Sequence, residues 1–350
     1  MDGSSILACV PTEATAVLSD PNLSDISLAA IRTAAGAIAP YVVRTPTLPL
    51  DRLSTDLGLP VVGKFELLQH TGSFKVRGAF SRMQQLTEAE RAAGVVAVSG
   101  GNHGLAVAYA ARVLGIQAAV IMPATAAPAS VEQVRADGAQ LIVMDTIAEV
   151  FARAVAEVEA GKVLVHPFDD PAVVAGQGTL ALELHEDAPE VTDVLASVGG
   201  GGMITGVAAA LKALNPAIRV WGVETEGADV MTRSLRAGEP VTLDSITSIA
   251  TTLGAPTVAP LTLAGVRELV EEVLVVPDAA AVRGIEMLAA TAKVITEPAT
   301  GCVWAAALRL RERLPAGARL ALILCGGNAG LDDIAGWRNR FPAGSTTDPT

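Results

Sequence analysis

The residues best suited to chemistry are one lysine and three glycine-rich turns. Lys75 sits in Gly72-Ser73-Phe74-Lys75-Val76-Arg77-Gly78-Ala79, just after a short apolar run over 61–66. Small neighbours and one aromatic suggest a confined amine. Such an amine loses its proton nearer neutral pH and becomes a nucleophile toward an aldehyde. The other four of the five lysines, Lys64, Lys162, Lys212 and Lys293, read as surface charges. The turn Ser99-Gly100-Gly101-Asn102-His103-Gly104 follows an apolar run over 95–98 and opens a helical pattern. Its small residues let backbone N–H groups reach an anion, and the helix start adds a positive dipole end, which suits a carboxylate. Gly199-Gly200-Gly201-Gly202-Met203 follows the run 193–198. Four glycines in a row are entropically unfavourable, and a phosphate held by successive N–H donors offsets that. The spacing is neither the dinucleotide fingerprint nor a Walker loop. Cys325-Gly326-Gly327-Asn328 follows the run 319–324 and places a thiol at a strand tip, where it can touch a ring nitrogen.

Taken singly, each feature has a plain structural reading: a half-buried lysine, a tight turn, a hinge, a buried cysteine. Together they supply an aldehyde-capturing amine, a phosphate cradle, a carboxylate turn and a polar atom for a ring nitrogen. One cofactor asks for that set, pyridoxal 5'-phosphate.

These groups need a scaffold that gathers strand ends. Short β-branched runs at 61–66, 95–98, 117–122, 140–144, 163–165, 193–198, 218–223, 273–276 and 319–324 predict strands. Helical spacing starts near Ile26 and recurs at 103–114, 129–137, 146–160, 171–186, 203–213, 278–291 and 299–313. Alternating strands and helices predict an α/β fold of mostly parallel sheets covered on both faces, with ligands at the carboxyl ends of strands. Nine strands are many for one sheet, so two layers are expected. The 350 residues are 51% hydrophobic with a net charge of −12 and no long basic patch, which argues against nucleic acid as a partner. Cys9, Cys302 and Cys325 lack metal-ligand spacing, so no cysteine metal site is expected, and a cation elsewhere is left open. An odd cysteine count suits a reducing compartment, and 1–7 lacks the basic start of a secretory signal, so a cytoplasmic location is expected. The uncharged stretch 113–131 is broken by Gly115, Pro123 and Pro128 and does not read as a membrane span. Residues 1–24 read as loosely held, and 343–350 as a disordered tail.

From about Ile26 to Leu331 the sequence resembles the serine/threonine dehydratase family, which includes the serine racemases, of fold type II pyridoxal-phosphate enzymes. Ser73-Phe74-Lys75-Val76-Arg77-Gly78-Ala79 resembles its Schiff-base lysine motif, the Ser99 turn its substrate loop, and the Gly199 run its phosphate loop. His166-Pro167-Phe168-Asp169, Ala175-Gly176-Gln177-Gly178-Thr179, Glu297-Pro298 and the Cys325 turn follow in the family's order. The resemblance implies that Lys75 carries the cofactor and is the catalytic residue. It implies that Phe74 packs near the cofactor ring and that Asn102 bonds the ring hydroxyl. Gly199, Gly200, Gly201, Gly202 and Met203 would offer N–H groups to the phosphate, and Cys325 would face the pyridine nitrogen. Ser99, Gly101, Asn102 and His103 would hold the carboxylate of an amino-acid substrate. A tryptophan synthase β-like architecture follows, with a large domain of 1–92 and 170–342, a small closing domain of 93–169, and a homodimer.

The implied activity is α,β-elimination on L-threonine, L-serine or a relative, giving a 2-oxo acid and ammonia. A racemase, a β-replacement enzyme or a non-catalytic ligand-binding relative is the alternative. Racemase members carry a serine before the Gly-Asn pair as a second acid/base; this chain has Gly100 there. Metal-dependent members hold a cation near the position of Glu224, with a carbonyl at Ala228 and a carboxylate where this chain has Val230. Divalent-metal dependence is therefore not expected, and Glu224 and Asp229 are left as cation contacts or solvated loop acids. A neutral thiol at Cys325 leaves the ring a weaker electron sink than a carboxylate would, which suits elimination. The short stretch after Cys325 fits a catabolic rather than a feedback-regulated type.

Overall fold

A computed structural model describes residues 22–342. Cys9, most of the segment expected to be loose and the tail after Pro342 lie outside the described residues. The chain forms two compact units, one of Lys75–Gln177 with the described residues up to Val42, the other of Val43–Phe74 with the residues from Gly178 onward. The borders thus fall after Val42, Phe74 and Gln177, whereas the expected borders fall after residues 92 and 169. The helix Lys75–Gln84 explains the difference, because its Val76, Ala79, Phe80 and Met83 are buried in the core of the first unit.

Ten strands run in chain order among the described residues: β1 (Thr47–Pro49), β2 (Val61–Lys64), β3 (Val95–Val98), β4 (Ala118–Pro123), β5 (Gln140–Met144), β6 (Val163–Leu164), β7 (Asp193–Ser197), β8 (Arg219–Thr225), β9 (Glu272–Val276) and β10 (Leu320–Ile323). All nine expected strands are present. β1 was not expected: it is three residues long, ends in proline, and pairs antiparallel with β2 at a sheet edge.

The first unit holds a parallel sheet in the order β5-β4-β3-β6. β3 shows why its all-apolar sequence is needed. Val95 and Ala97 enter the core formed with the helices Lys75–Gln84 and Asn102–Leu114, while Val96 enters a second core with Val150 and Ala154 of the helix Ile147–Glu159. Side chains alternate across a strand, so burial on both faces leaves no position for a polar residue.

The second unit holds the order β1-β2-β10-β7-β8-β9, parallel except for β1. β10 and β7 are neighbours in register Leu320↔Asp193, Ala321↔Val194 and Leu322↔Leu195. Their carboxyl ends therefore lie side by side, and the turns at Gly199 and Cys325 both start there.

Lys64, expected to be a surface charge, is wholly buried at the end of β2. Its Nζ donates to the Thr45 carbonyl at 2.6 Å and to Glu183 Oε2 at 2.7 Å. A buried ammonium must be paired and hydrogen-bonded, and its carboxylate comes from a helix more than a hundred residues away in sequence. No helix among the described residues is long and apolar enough to cross a membrane.

Candidate active site

In the first unit, Lys75 is the opening residue of the helix Lys75–Gln84, and its Nζ donates to the Pro167 carbonyl at 3.0 Å. Pro167 belongs to the His166-Pro167-Phe168-Asp169 segment that follows β6. Two histidines in the same unit feel the Lys75 charge. His103 is 3% exposed, and its Nε2 lies 2.7 Å from the Val165 carbonyl, so Nε2 carries the proton. Burial first, then Lys75, holds it down at about 3. His166 Nδ1 accepts the Asp169 N–H at 2.7 Å, so its other nitrogen bears the proton. Burial, followed by Lys75, lowers it to about 4. Both rings are neutral at pH 7.

A pH dependence follows. The folded-state values lie below the unfolded value of 6.5, so the unfolded chain binds protons that the folded chain refuses. Stability is complete above that value and is lost as pH falls through it toward about 4 and about 3. Each group contributes a slope of up to about 1.4 kcal/mol per pH unit. Urea unfolding at pH steps through this window should show it, and His103→Gln should reduce the slope by up to one proton. An unchanged slope in that variant would mean that His103 is not the neutral buried base described.

The turn at Ser99 is compact. Ser99 Oγ accepts the Gly101 N–H at 3.1 Å, and Gly101 precedes the helix Asn102–Leu114 without a side-chain cap. Asn102 is buried at that helix start. The His103 imidazole is tied to Val165, so what it offers at the turn is its backbone N–H. A Cβ on Gly100 would lie 3.2 Å from Pro123 Cδ and 3.3 Å from Ala126 Cβ.

In the second unit, Gly201 has φ +86° and precedes the helix Gly202–Leu214, again with no side-chain cap. A Cβ on Gly199 would meet the Leu253 carbonyl at 3.0 Å, and one on Gly201 would meet Thr262 Cβ at 2.9 Å. The helix start, stripped of side chains and opened by a left-handed residue, fits a phosphate. Phe74 N–H donates to the Cys325 carbonyl at 3.1 Å, which sets the aromatic beside the strand tip. Cys325 is 2% exposed. Burial, then the Glu297 carboxylate, pushes its thiol up to about 12, so it stays neutral. A neutral thiol fits a pyridine nitrogen. The residues present therefore fit pyridoxal phosphate.

Two partners of Cys325 were not foreseen: Ser197 Oγ at 3.3 Å and Thr300 Oγ1 at 3.2 Å. A polar residue closing an otherwise apolar run just before the glycines was the available signal for Ser197. Thr300 had none. Glu224 was left open as a cation contact or a solvated acid. It is neither solvated nor loosely placed: it is wholly buried at the end of β8, and its two oxygens accept the N–H groups of Met231 and Thr232, each at 2.8 Å. It caps the helix Val230–Ala237, and burial raises it to about 7. Asp229 pairs with Arg233 at 3.0 Å.

The comparisons with known proteins give the family. The profile of pyridoxal-phosphate dependent enzymes matches residues 38–326. The chain belongs to this family, as an enzyme of its fold type II lyase and racemase branch that uses pyridoxal phosphate. It is 39% identical to serine racemase of Oryza sativa subsp. indica over 86% of this chain and 90% of that protein. It is 38% identical to L-threonine ammonia-lyase of Thermotoga maritima over 88% of this chain and 77% of that protein. The solved structure of maize serine racemase superposes with a TM-score of 0.83 at 37% identity, covering 90% of this chain and 97% of that one.

Proposed function

We propose that this chain is a dehydratase (ammonia-lyase) acting on a β-hydroxy amino acid, L-threonine, L-serine or a relative. The observation that carries the reading is Gly100. Reprotonating the second face of a substrate needs an acid there, and position 100 offers no side chain; Pro123 and Ala126 pack against the space a Cβ would take. Lys75 is then the one base at Cα.

In this reading the bound cofactor supplies the electron sink that makes the substrate Cα–H acidic. Lys75 would hold the cofactor, and its amine is the base that takes the Cα proton. The N–H groups of Gly199, Gly200, Gly201, Gly202 and Met203 bind the phosphate, Phe74 packs by the ring, Asn102 bonds its hydroxyl, and Cys325 meets its nitrogen. Ser99, Gly101, Asn102 and His103 orient the substrate carboxylate. Loss of the β-hydroxyl as water and hydrolysis of the released enamine give a 2-oxo acid and ammonia. A homodimeric state and a cytoplasmic location are carried by the family resemblance and the odd cysteine count.

Racemisation is the second reading, favoured by the likeness to serine racemase of rice. One assay separates the two. The protein reconstituted with pyridoxal phosphate is given L-serine, L-threonine, 3-hydroxyaspartate and bulkier β-hydroxy amino acids, and 2-oxo acid and D-isomer are both measured. Faster release of 2-oxo acid than of D-isomer is expected with at least one substrate. Faster D-isomer formation with every substrate turned over would sink the dehydratase.

A further inference from the structure

The thiol at the tip of β10 has a hydrogen-bond arrangement that the reaction so far leaves unused. Ser197 closes β7 and is 4% exposed. Its Oγ–H donates to Cys325 Sγ at 3.3 Å. Thr300 has one proton, which goes to the Gly326 carbonyl at 2.7 Å, and its oxygen also accepts the Gly326 N–H at 3.0 Å. Toward Sγ at 3.2 Å, Thr300 can therefore only accept, so the thiol proton points at it. Ser197 occupies one of the sulfur's two lone pairs and weakens it as an acceptor for anything else. The S–H is then the one part of the thiol left to offer an incoming acceptor, and it need only swing away from Thr300.

We propose that Ser197 is a positioning residue that fixes the direction of the Cys325 proton, so that the thiol meets the ring nitrogen of bound pyridoxal phosphate as a donor and keeps that nitrogen unprotonated. This rests on the reading above that Cys325 faces the ring. Ser197 works against a neighbour: the Glu297 carboxylate, which receives Thr252 Oγ1 at 3.1 Å, acts on the same thiol and by its charge would favour a protonated ring. Without the serine hydroxyl, Sγ is the better acceptor, and a pyridinium N–H can donate to it more strongly. The ring would then be a stronger electron sink, and the proton that Lys75 takes from Cα would be returned to the same face more often before the β-hydroxyl leaves.

The test uses holoenzyme loaded with pyridoxal phosphate carrying ¹⁵N in the ring. The native protein should give the resonance of an unprotonated, hydrogen-bonded pyridine. In Ser197→Ala it should move upfield toward pyridinium, and exchange of the substrate Cα proton with solvent should rise relative to release of 2-oxo acid. Ser197→Thr, which keeps the hydroxyl, should hold the native signal; if it moves as the alanine variant does, the effect is one of packing and the proposal fails. A native resonance already at pyridinium also overturns it. Cys325→Ala separates the two levels. If that variant moves the resonance and Ser197→Ala does not, the serine has no part while the placement of Cys325 stands. If neither moves it, Cys325 is not at the ring and the underlying reading falls too.

Discussion

The Lys75→Ala protein is expected to lose turnover by at least about 10³-fold, within or beyond the range of a single general base, because the same side chain also carries the cofactor. It should also lack the borohydride-sensitive visible absorbance expected of the reconstituted native protein. The competing site within the chain is Lys64, and the structure separates the two. Lys64 is wholly buried and bound to Glu183 and the Thr45 carbonyl. Lys75 is half-buried at a helix start, with its amine against the Pro167 carbonyl. An amine locked to a buried carboxylate has no route to an aldehyde, whereas the Lys75 amine is held by a backbone carbonyl at the start of a helix. Mass spectrometry of the borohydride-reduced native protein should place the adduct on Lys75. An adduct on Lys64, or none, would remove the basis of the proposed function.

The second large effect belongs to Gly201. Gly201→Ala combines two penalties. A left-handed backbone costs an alanine about 1–2 kcal/mol. The new Cβ would also stand 2.6 Å from Met231 Cε and 2.9 Å from Thr262 Cβ. Met231 can swing away at its flexible end, but the β-carbon of Thr262 is fixed to its backbone, so the loop must shift, at about 1–3 kcal/mol. A shifted loop takes its N–H groups off the phosphate, and every 1.4 kcal/mol is about tenfold in affinity. Cofactor affinity should fall by about tenfold or more, read by titrating the reconstitution absorbance. Gly238→Ala is the control: its φ is +83° and nothing lies within 4 Å of a Cβ there. It should lose about 1 kcal/mol of stability from the backbone alone and bind the cofactor as the native protein does. Equal affinities in the two variants would refute the phosphate role of the loop.

Much of this protein was readable along the chain because its signals are local. Val95-Val96-Ala97-Val98 is apolar at each position since both faces of β3 are covered, so a run of four residues announces a buried parallel strand. β1 escaped notice for the opposite reason, being short, half-exposed and closed by a proline. Gly201 was legible as part of a glycine run, since no other residue takes φ +86° beside Thr262 so readily.

What stayed hidden depends on partners distant in sequence. Lys64 looks like any charged residue at a strand end until Glu183 is folded against it. Glu224 reads as a loop acid until the helix Val230–Ala237 presents two N–H groups to it. The sequence alone determined the identity of the amine, the bare amides and the thiol, because these are properties of residue type and of neighbours along the chain. Only the tertiary structure decided that β7 lies beside β10, and through that register brought Ser197, Thr300 and Cys325 within hydrogen-bonding distance. Strand order is set by how the apolar faces of helices and sheet bury one another, a sum over many long-range contacts that no local stretch of residues encodes.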